Sequence, residues 1–351
     1  MKMQRPELSG IPPEVAAYIE GLEQELTRLR ETGKRVAATG AGDAADHDPA
    51  EPPTSVNVVT VTQNGLIKRT PRHLYTRQRR GGMGVFGLEG ADDDPPERLL
   101  AADEAAGITI VSDQGRAFRL SVSDLPEAAL HSRGMPLREW LPLQSGEAVA
   151  LAFADAPAEG RGAYLAVVTR RGQVRRIGSQ YLGKSLQPGT VLFNVSEGGP
   201  PAAACWTSGT DDLFIVTRSG QAIRFAERLV PVRGCLGMRI DPADAAVGIA
   251  AAQEDGGVFL LGADGKGTIR LLSGFSANKS PGAGGKLAMK AERITGAASV
   301  RDQDDILIIS RLGKVIRFSA AEVPPKEGVV QGVICMNLRA DECAAMTVLR
   351  L

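Results

Sequence analysis

Long apolar runs are missing from this chain. Nowhere do eighteen such residues stand in a row, so no transmembrane helix is expected. The opening residues, MKMQRPELSG, lack the apolar stretch of a secretory leader. Cysteine is scarce: Cys205, Cys235, Cys335 and Cys343 lie far apart, without a CxxC pair, and only three histidines could assist them. A disulfide framework and a zinc site are therefore not expected, no cofactor is implied, and a reducing cytoplasm is the default compartment. Aromatics reach only 4%, whereas 41 glycines and 21 prolines are plentiful. That balance favours many short strands and turns over long helices. Net charge is also absent, with 41 Lys/Arg against 41 Asp/Glu. The two signs are nevertheless unevenly spread. Residues 1–55 hold six basic and ten acidic side chains, leaving 35 against 31 for the remainder. Any attraction to a polyanion must come from local clustering.

Repetition is abundant. An apolar strand, then Ser or Thr, two residues, Gly, three residues and Arg recurs along the chain. It appears as Thr62/Gly65/Arg69, Ser112/Gly115/Arg119, Thr169/Gly172/Arg176, Thr217/Gly220/Arg224 and Ser310/Gly313/Arg317. A looser copy holds Gly262, Gly265 and Arg270. The glycines at 65, 115, 172, 220, 265 and 313 are spaced 50, 57, 48, 45 and 48 residues apart. Each copy reads as a β-hairpin: a β-branched leading run such as Val56–Thr62, an x-Gly turn, and an apolar return such as Val315–Phe318. A further small-residue strand follows later in the repeat, as at Ala245–Ala251. About four strands every fifty residues is the period of a propeller blade, and six copies predict a six-bladed all-β propeller over residues 55–351.

Ahead of the blades, Pro13–Arg35 reads as an amphipathic helix with Val15, Tyr18, Ile19, Leu22, Leu26 and Leu29 on one stripe. That stripe fits docking on the chain's own propeller, or pairing as a coiled coil with a partner or a second copy. Residues 1–12 read as a disordered tail and residues 36–54 as a flexible acidic linker.

The densest basic stretch is Lys68–Arg80, KRTPRHLYTRQRR, with Lys68, Arg69, Arg72, Arg77, Arg79 and Arg80 and no acid. It runs into Gly81-Gly82-Met83-Gly84. Guanidinium forks bind phosphate oxygens, and glycines let backbone N–H groups approach the same anion. The alternative is a solvated basic loop closing the first blade. The recurrent Arg69, Arg119, Arg176, Arg224 and Arg317 also read two ways, and a structural role over their own sheet or against a neighbouring blade is favoured.

The segment Gln78-Arg79-Arg80-Gly81-Gly82-Met83-Gly84 resembles the heptapeptide box of the gyrase A C-terminal domain, Gln-Arg/Lys-Arg-Gly-Gly-Arg/Lys-Gly, at six of seven positions. The repeated hairpin phrase extends the resemblance over residues 55–351. Weaker echoes fall at Arg133-Gly134-Met135, Arg233-Gly234-Cys235, Gly284-Gly285-Lys286 and Gly328–Gly332. The resemblance implies a six-bladed β-pinwheel whose perimeter wraps duplex DNA. Arg79 and Arg80 would neutralise phosphates, Gly81, Gly82 and Gly84 would shape the loop, and Gln78 would brace it. Lys68, Arg69, Arg72 and Arg77 join the same basic loop. Arg133, Lys184, Arg233, Lys286 and Lys326 would continue the track on later blades. Met83 stands where the family carries a basic residue.

The four tyrosines (Tyr18, Tyr75, Tyr164 and Tyr181) have no winged-helix context, and there is no P-loop, so the chain reads as a non-enzymatic module. The expected function is sequence-independent wrapping of duplex DNA, alone in the nucleoid or alongside gyrase or topoisomerase subunits. The alternative is a protein-interaction propeller that has lost wrapping. Met1 argues for a stand-alone protein over a fragment of a whole gyrase polypeptide.

Overall fold

A computed structural model of the chain describes residues 51–157, 160–252 and 256–350. The tail at 1–12, the helix at Pro13–Arg35 and all but the last four residues of the linker lie outside them. The described residues fall in one compact unit, Asp48–Leu351, which begins ahead of the boundary at 55 that composition suggests. No helix among them is long and apolar enough to cross a membrane.

Six sheets make six blades. In blade 1 the first strand is Val56–Thr62, the second Leu66–Pro71 and the inner strand Pro96–Asp103. Blades 2 to 6 repeat this order, with first strands Gly107–Ser112, Tyr164–Thr169, Asp212–Thr217, Gly257–Gly262 and Asp305–Ser310. Their inner strands are Val149–Ala154, Pro201–Thr207, Ala246–Ala252, Ile294–Val300 and Cys343–Leu349. The inner strands neighbour one another in sequence order, and the last lies beside the first, so the ring is closed.

First strands are apolar along both faces because each blade is sandwiched between two others. Ile306, Leu307, Ile308 and Ile309 are all fully buried. Six core clusters result, one in each gap between blades, the sixth joining Val58 and Leu99 of blade 1 to Leu307 and Val315 of blade 6. Inner strands use small residues where they crowd the axis: a Cβ on Gly248 of blade 4 would lie 2.8 Å from the Ala297 Cβ of blade 5.

The Ser/Thr and Gly of the repeated phrase have separate tasks. The hydroxyls of Thr62, Ser112, Thr169 and Ser310 accept from the main-chain N–H four residues on, at 2.9 to 3.2 Å, tightening the turn. In the loose copy, Gly262 has no hydroxyl and Asp264 Oδ1 caps Lys266 N at 3.2 Å instead. The phrase glycines all take positive φ, from 78° to 84°.

The fourth strand is where the structure departs from a simple repeat. Each short outer strand belongs to the following repeat and completes the preceding blade. Met135–Pro136 pairs with blade 1, Thr190–Val191 with blade 2, Cys235–Leu236 with blade 3 and Lys286–Leu287 with blade 4. Val333–Ile334 and Pro325–Lys326 pair with blade 5. Val85–Phe86, just beyond the Gly-rich box, crosses to blade 6 and pairs with Lys314 and Val315. The box is thus the latch that closes the ring.

Candidate nucleic-acid interface on the rim

The latch is built from backbone. The amide of Gln78 donates to Arg317 O at 2.7 Å, that of Gly81 to Cys335 O at 2.8 Å, and that of Asn337 to Gly82 O at 2.9 Å. The Arg80 amide donates to Glu322 Oε2 at 2.9 Å, its Nε to Glu322 O at 2.7 Å and its Nη1 to Ile334 O at 3.1 Å. Glu322 is fixed by its own turn, since its Oε1 accepts from Ser319 N in a capping box. Gly84 has φ +73°, and a Cβ there would sit 2.5 Å from Val315 O. Three of the four echoes of the box obey the same constraint. A Cβ on Gly134 would lie 2.8 Å from Ile67 O, on Gly234 2.8 Å from Val174 O, and on Gly332 2.4 Å from Gly267 O. Each glycine stands where the crossing chain touches the preceding blade.

The basic stretch divides sharply. Lys68 is buried, its ammonium donating to Gly87 O at 2.6 Å and to Leu130 O, and burial lowers its pKa to about 8. Arg69 is buried against Glu104 at 2.9 Å. Arg72 pairs with Glu51, and Arg77 with the buried Asp305 at 2.9 Å. These carboxylates come from distant points of the chain, so an acid-free run in sequence is well countered in space. Arg79 is exposed, and Arg80 partly so. Met83 is also exposed. Gln78 lies under Gly82, its Oε1 3.0 Å from where a Cβ would be.

Five recurrent arginines are structural, as is Arg270 of the loose copy. Arg224 donates to Leu272 O and Phe275 O of the next repeat at 2.7 and 3.1 Å while pairing with Asp212 at 2.7 Å. Arg317 binds Asp305 at 2.8 Å, Glu51 at 2.5 Å and Tyr75 O at 3.2 Å, joining blade 6 to blade 1. Arg176 reaches Val230 O of the next repeat at 3.1 Å, and Arg270 reaches Glu327 O. Arg69 and Arg119 pair with Glu104 and Asp155, just past their own inner strands.

The remaining nominated residues share one location. Arg79, Arg133, Lys184 and Arg233 are exposed on the segments leading into the outer strands of blades 6, 1, 2 and 3. Lys286 is exposed within the outer strand of blade 4, its Nζ 4.3 Å above the Phe275 ring, and Lys326 is exposed on blade 5. Every blade therefore carries one of these cations on its rim. Interleaved with them is a row of exposed apolar side chains, one per outer strand: Phe86, Met135, Val191, Leu236, Leu287 and Ile334. Sequence reasoning did not identify this row, nor the counter-charges Glu51, Asp305 and Glu322. Among these, only Ser319-x-x-Glu322 carried a local signal.

Four stretches, residues 57–103, 108–150, 211–239 and 304–342, match the family described as DNA gyrase C-terminal domain, beta-propeller. The chain belongs to this gyrase C-terminal domain family. The DNA gyrase A protein of Staphylococcus epidermidis is 25% identical over 347 residues, covering 95% of this chain and 39% of the relative. Its counterpart in Mycolicibacterium smegmatis is 32% identical over 299 residues, covering 80% and 34%. The chain thus spans about two fifths or less of the length of these gyrase A relatives. A solved gyrase A C-terminal domain superposes with a TM-score of 0.74 at 20% identity, covering 84% of this chain and all of that one. The C-terminal domain of a DNA topoisomerase IV gives 0.58 at 19% identity, covering 84% and 93%. Both likenesses are of fold. In this gyrase-type pinwheel, the six-bladed all-β architecture expected from the repeat period is the architecture found.

Proposed function

We propose that this chain binds duplex DNA along its rim without reading base sequence, and bends it around the ring without performing chemistry itself. The observation that carries the reading is the recurrence of an exposed cation at the outer strand of all six blades, beginning with Arg79 beside the latch. Phosphates repeat along a duplex and carry no sequence information, so evenly distributed Lys and Arg contacts position it without base readout. Bending costs on the order of several kcal/mol over 20–30 base pairs, which only many simultaneous contacts can offset. Of the basic loop, Arg79 and Arg80 are the phosphate ligands, with Gly81, Gly82, Gly84 and Gln78 shaping the strand beneath them. Lys68, Arg69, Arg72 and Arg77 support that loop from within. Membership of the gyrase C-terminal domain family favours a role in DNA topology, in the bacterial cytoplasm and at the nucleoid, with gyrase or topoisomerase subunits as partners. Residues 13–35 are the segment through which a partner or second copy would attach.

Affinity for a non-specific duplex should fall with salt at a slope near −0.9 per phosphate contact, and joint Arg79→Ala and Arg80→Ala substitution should flatten that slope by about 1 to 2. Relaxation of closed circular DNA by a topoisomerase in the presence of the protein should leave a shifted linking number. Salt-insensitive binding with no shift would reject the reading. The exposed apolar row from Phe86 to Ile334 favours a second one, in which the rim receives a protein partner. It predicts partner binding that Arg79→Ala leaves unchanged.

A further inference from the structure

The ring's axis has its own concentration of charge, away from the rim. The inner strands begin at one face of the ring, where the first strands end: Thr62 lies opposite Pro96, Thr217 opposite Ala246 and Ser310 opposite Cys343. On that face a funnel of about 370 Å³ is lined by residues from five of the six blades. Arg98, Arg170, Arg218, Arg293 and Arg311 line it, against the single carboxylate of Glu97. Their positions are set by main chain. Ala246 N of blade 4 donates to Arg170 O of blade 3 at 3.0 Å, and Ile294 N of blade 5 to Arg218 O of blade 4 at 2.7 Å, so each turn is pinned by the next inner strand.

The guanidinium groups are incompletely countered. Arg98 is held by Ala150 O at 2.6 Å and by Glu97 at 3.2 Å, Arg293 pairs with Glu342, and Arg218 donates to Ala243 O at 2.6 Å. Arg170 and Arg311 make no ion pair with any described residue, and both are exposed. Burial pushes the Arg98 guanidinium below its ordinary pKa; Glu97 opposes the shift and the charge of Arg170 adds to it. Five like charges converging on one small concavity are mutually destabilising unless an anion joins them.

We propose that this axial funnel binds a small multivalent phosphate anion, inorganic polyphosphate or the phosphate tail of a nucleoside polyphosphate, through Arg170 and Arg311 with Arg98, Arg218 and Arg293 around them. Guanidinium forks match phosphate oxygens in pairs, and a ring of five matches several linked phosphates better than one. A duplex is far too wide for a concavity of this volume, so the site is separate from the rim and does not rest on the wrapping reading.

Calorimetric titration of the full chain with inorganic tripolyphosphate at low salt tests the assignment. One anion per chain is expected, with affinity falling as salt rises. Joint Arg170→Gln and Arg311→Gln should weaken uptake at least tenfold. The thermal midpoint should not fall, because the substitutions remove repulsion, and duplex affinity should be unchanged. Adenosine triphosphate binding no tighter than tripolyphosphate would assign recognition to the phosphates alone; tighter binding, lost with the same substitutions, would assign it to a nucleotide's phosphate tail. No uptake at low salt, uptake unaffected by the double substitution, or tighter binding of an aspartate-rich peptide of equal charge would overturn the proposal. Loss of duplex binding through Arg79→Ala and Arg80→Ala leaves this site intact, so the two readings fail separately.

Discussion

Gly84 is strained for any residue with a side chain, and its neighbour cannot yield. Its φ of +73° and the 2.5 Å approach of a Cβ to Val315 O mean that even alanine must displace main chain of blade 6. Gly84→Ala should destabilise the protein by about 2 kcal/mol or more in urea unfolding, whereas Gly65→Ala, at a similar φ but with open space around it, should cost only about 1 kcal/mol. Lys68 offers a second check. Its folded pKa of about 8 lies below the ordinary 10.5, so the folded state loses its proton first as pH rises. Burying the charged form weakens folding at pH 7, and that penalty is relieved between about pH 8 and 10.5. The stability of the native protein relative to Lys68→Met should therefore rise by on the order of 1–2 kcal/mol across that window, measured as urea midpoints at the two ends.

At the scale of strands and loops, the arginine ending the repeated phrase fastens one blade to the next. Arg317 is 4% exposed and Asp305 not at all, so Arg317→Ala leaves that buried carboxylate to Arg77 alone and removes the tie to Glu51 and Tyr75 O. A loss of about 2 kcal/mol or more in unfolding free energy is expected. Arg133→Ala on the open rim should change stability by less than about 0.5 kcal/mol while weakening duplex binding. The hairpins themselves were legible in sequence because turn glycine, hydroxyl cap and β-branched strand are local chemistry, six times repeated. The basic loop was only half legible. Lys68, Arg69, Arg72, Arg77 and Arg80 meet Glu104, Glu51, Asp305 or main-chain carbonyls, and those partners are brought to the loop by folding. Nothing in KRTPRHLYTRQRR distinguishes Lys68, which is buried, from Arg79, which is exposed.

The molecule as a whole closes through a pairing unlike the other five. Blades 1 to 5 each receive their outer strands from the repeat that follows in sequence, but Val85–Phe86 reaches blade 6, whose second strand begins at Lys314. This two-residue strand, the box amides and Arg80 add to the core and the Arg317 contacts that blades 6 and 1 share. Gly84→Val, which adds bulk against Val315, should release this latch and raise the radius of gyration in solution scattering, with the sheets of blades 2 to 4 retained by circular dichroism. The period, the all-β class and the number of blades were settled by sequence alone, since each follows from short-range hairpin chemistry repeated at nearly fixed spacing. Which blade receives each outer strand, which cations reach solvent and which arginines meet at the axis were decided only by tertiary structure. Those properties depend on side chains from residues as far apart as Glu51 and Arg317, and burial and ion pairing over such separations leave no trace in the local pattern.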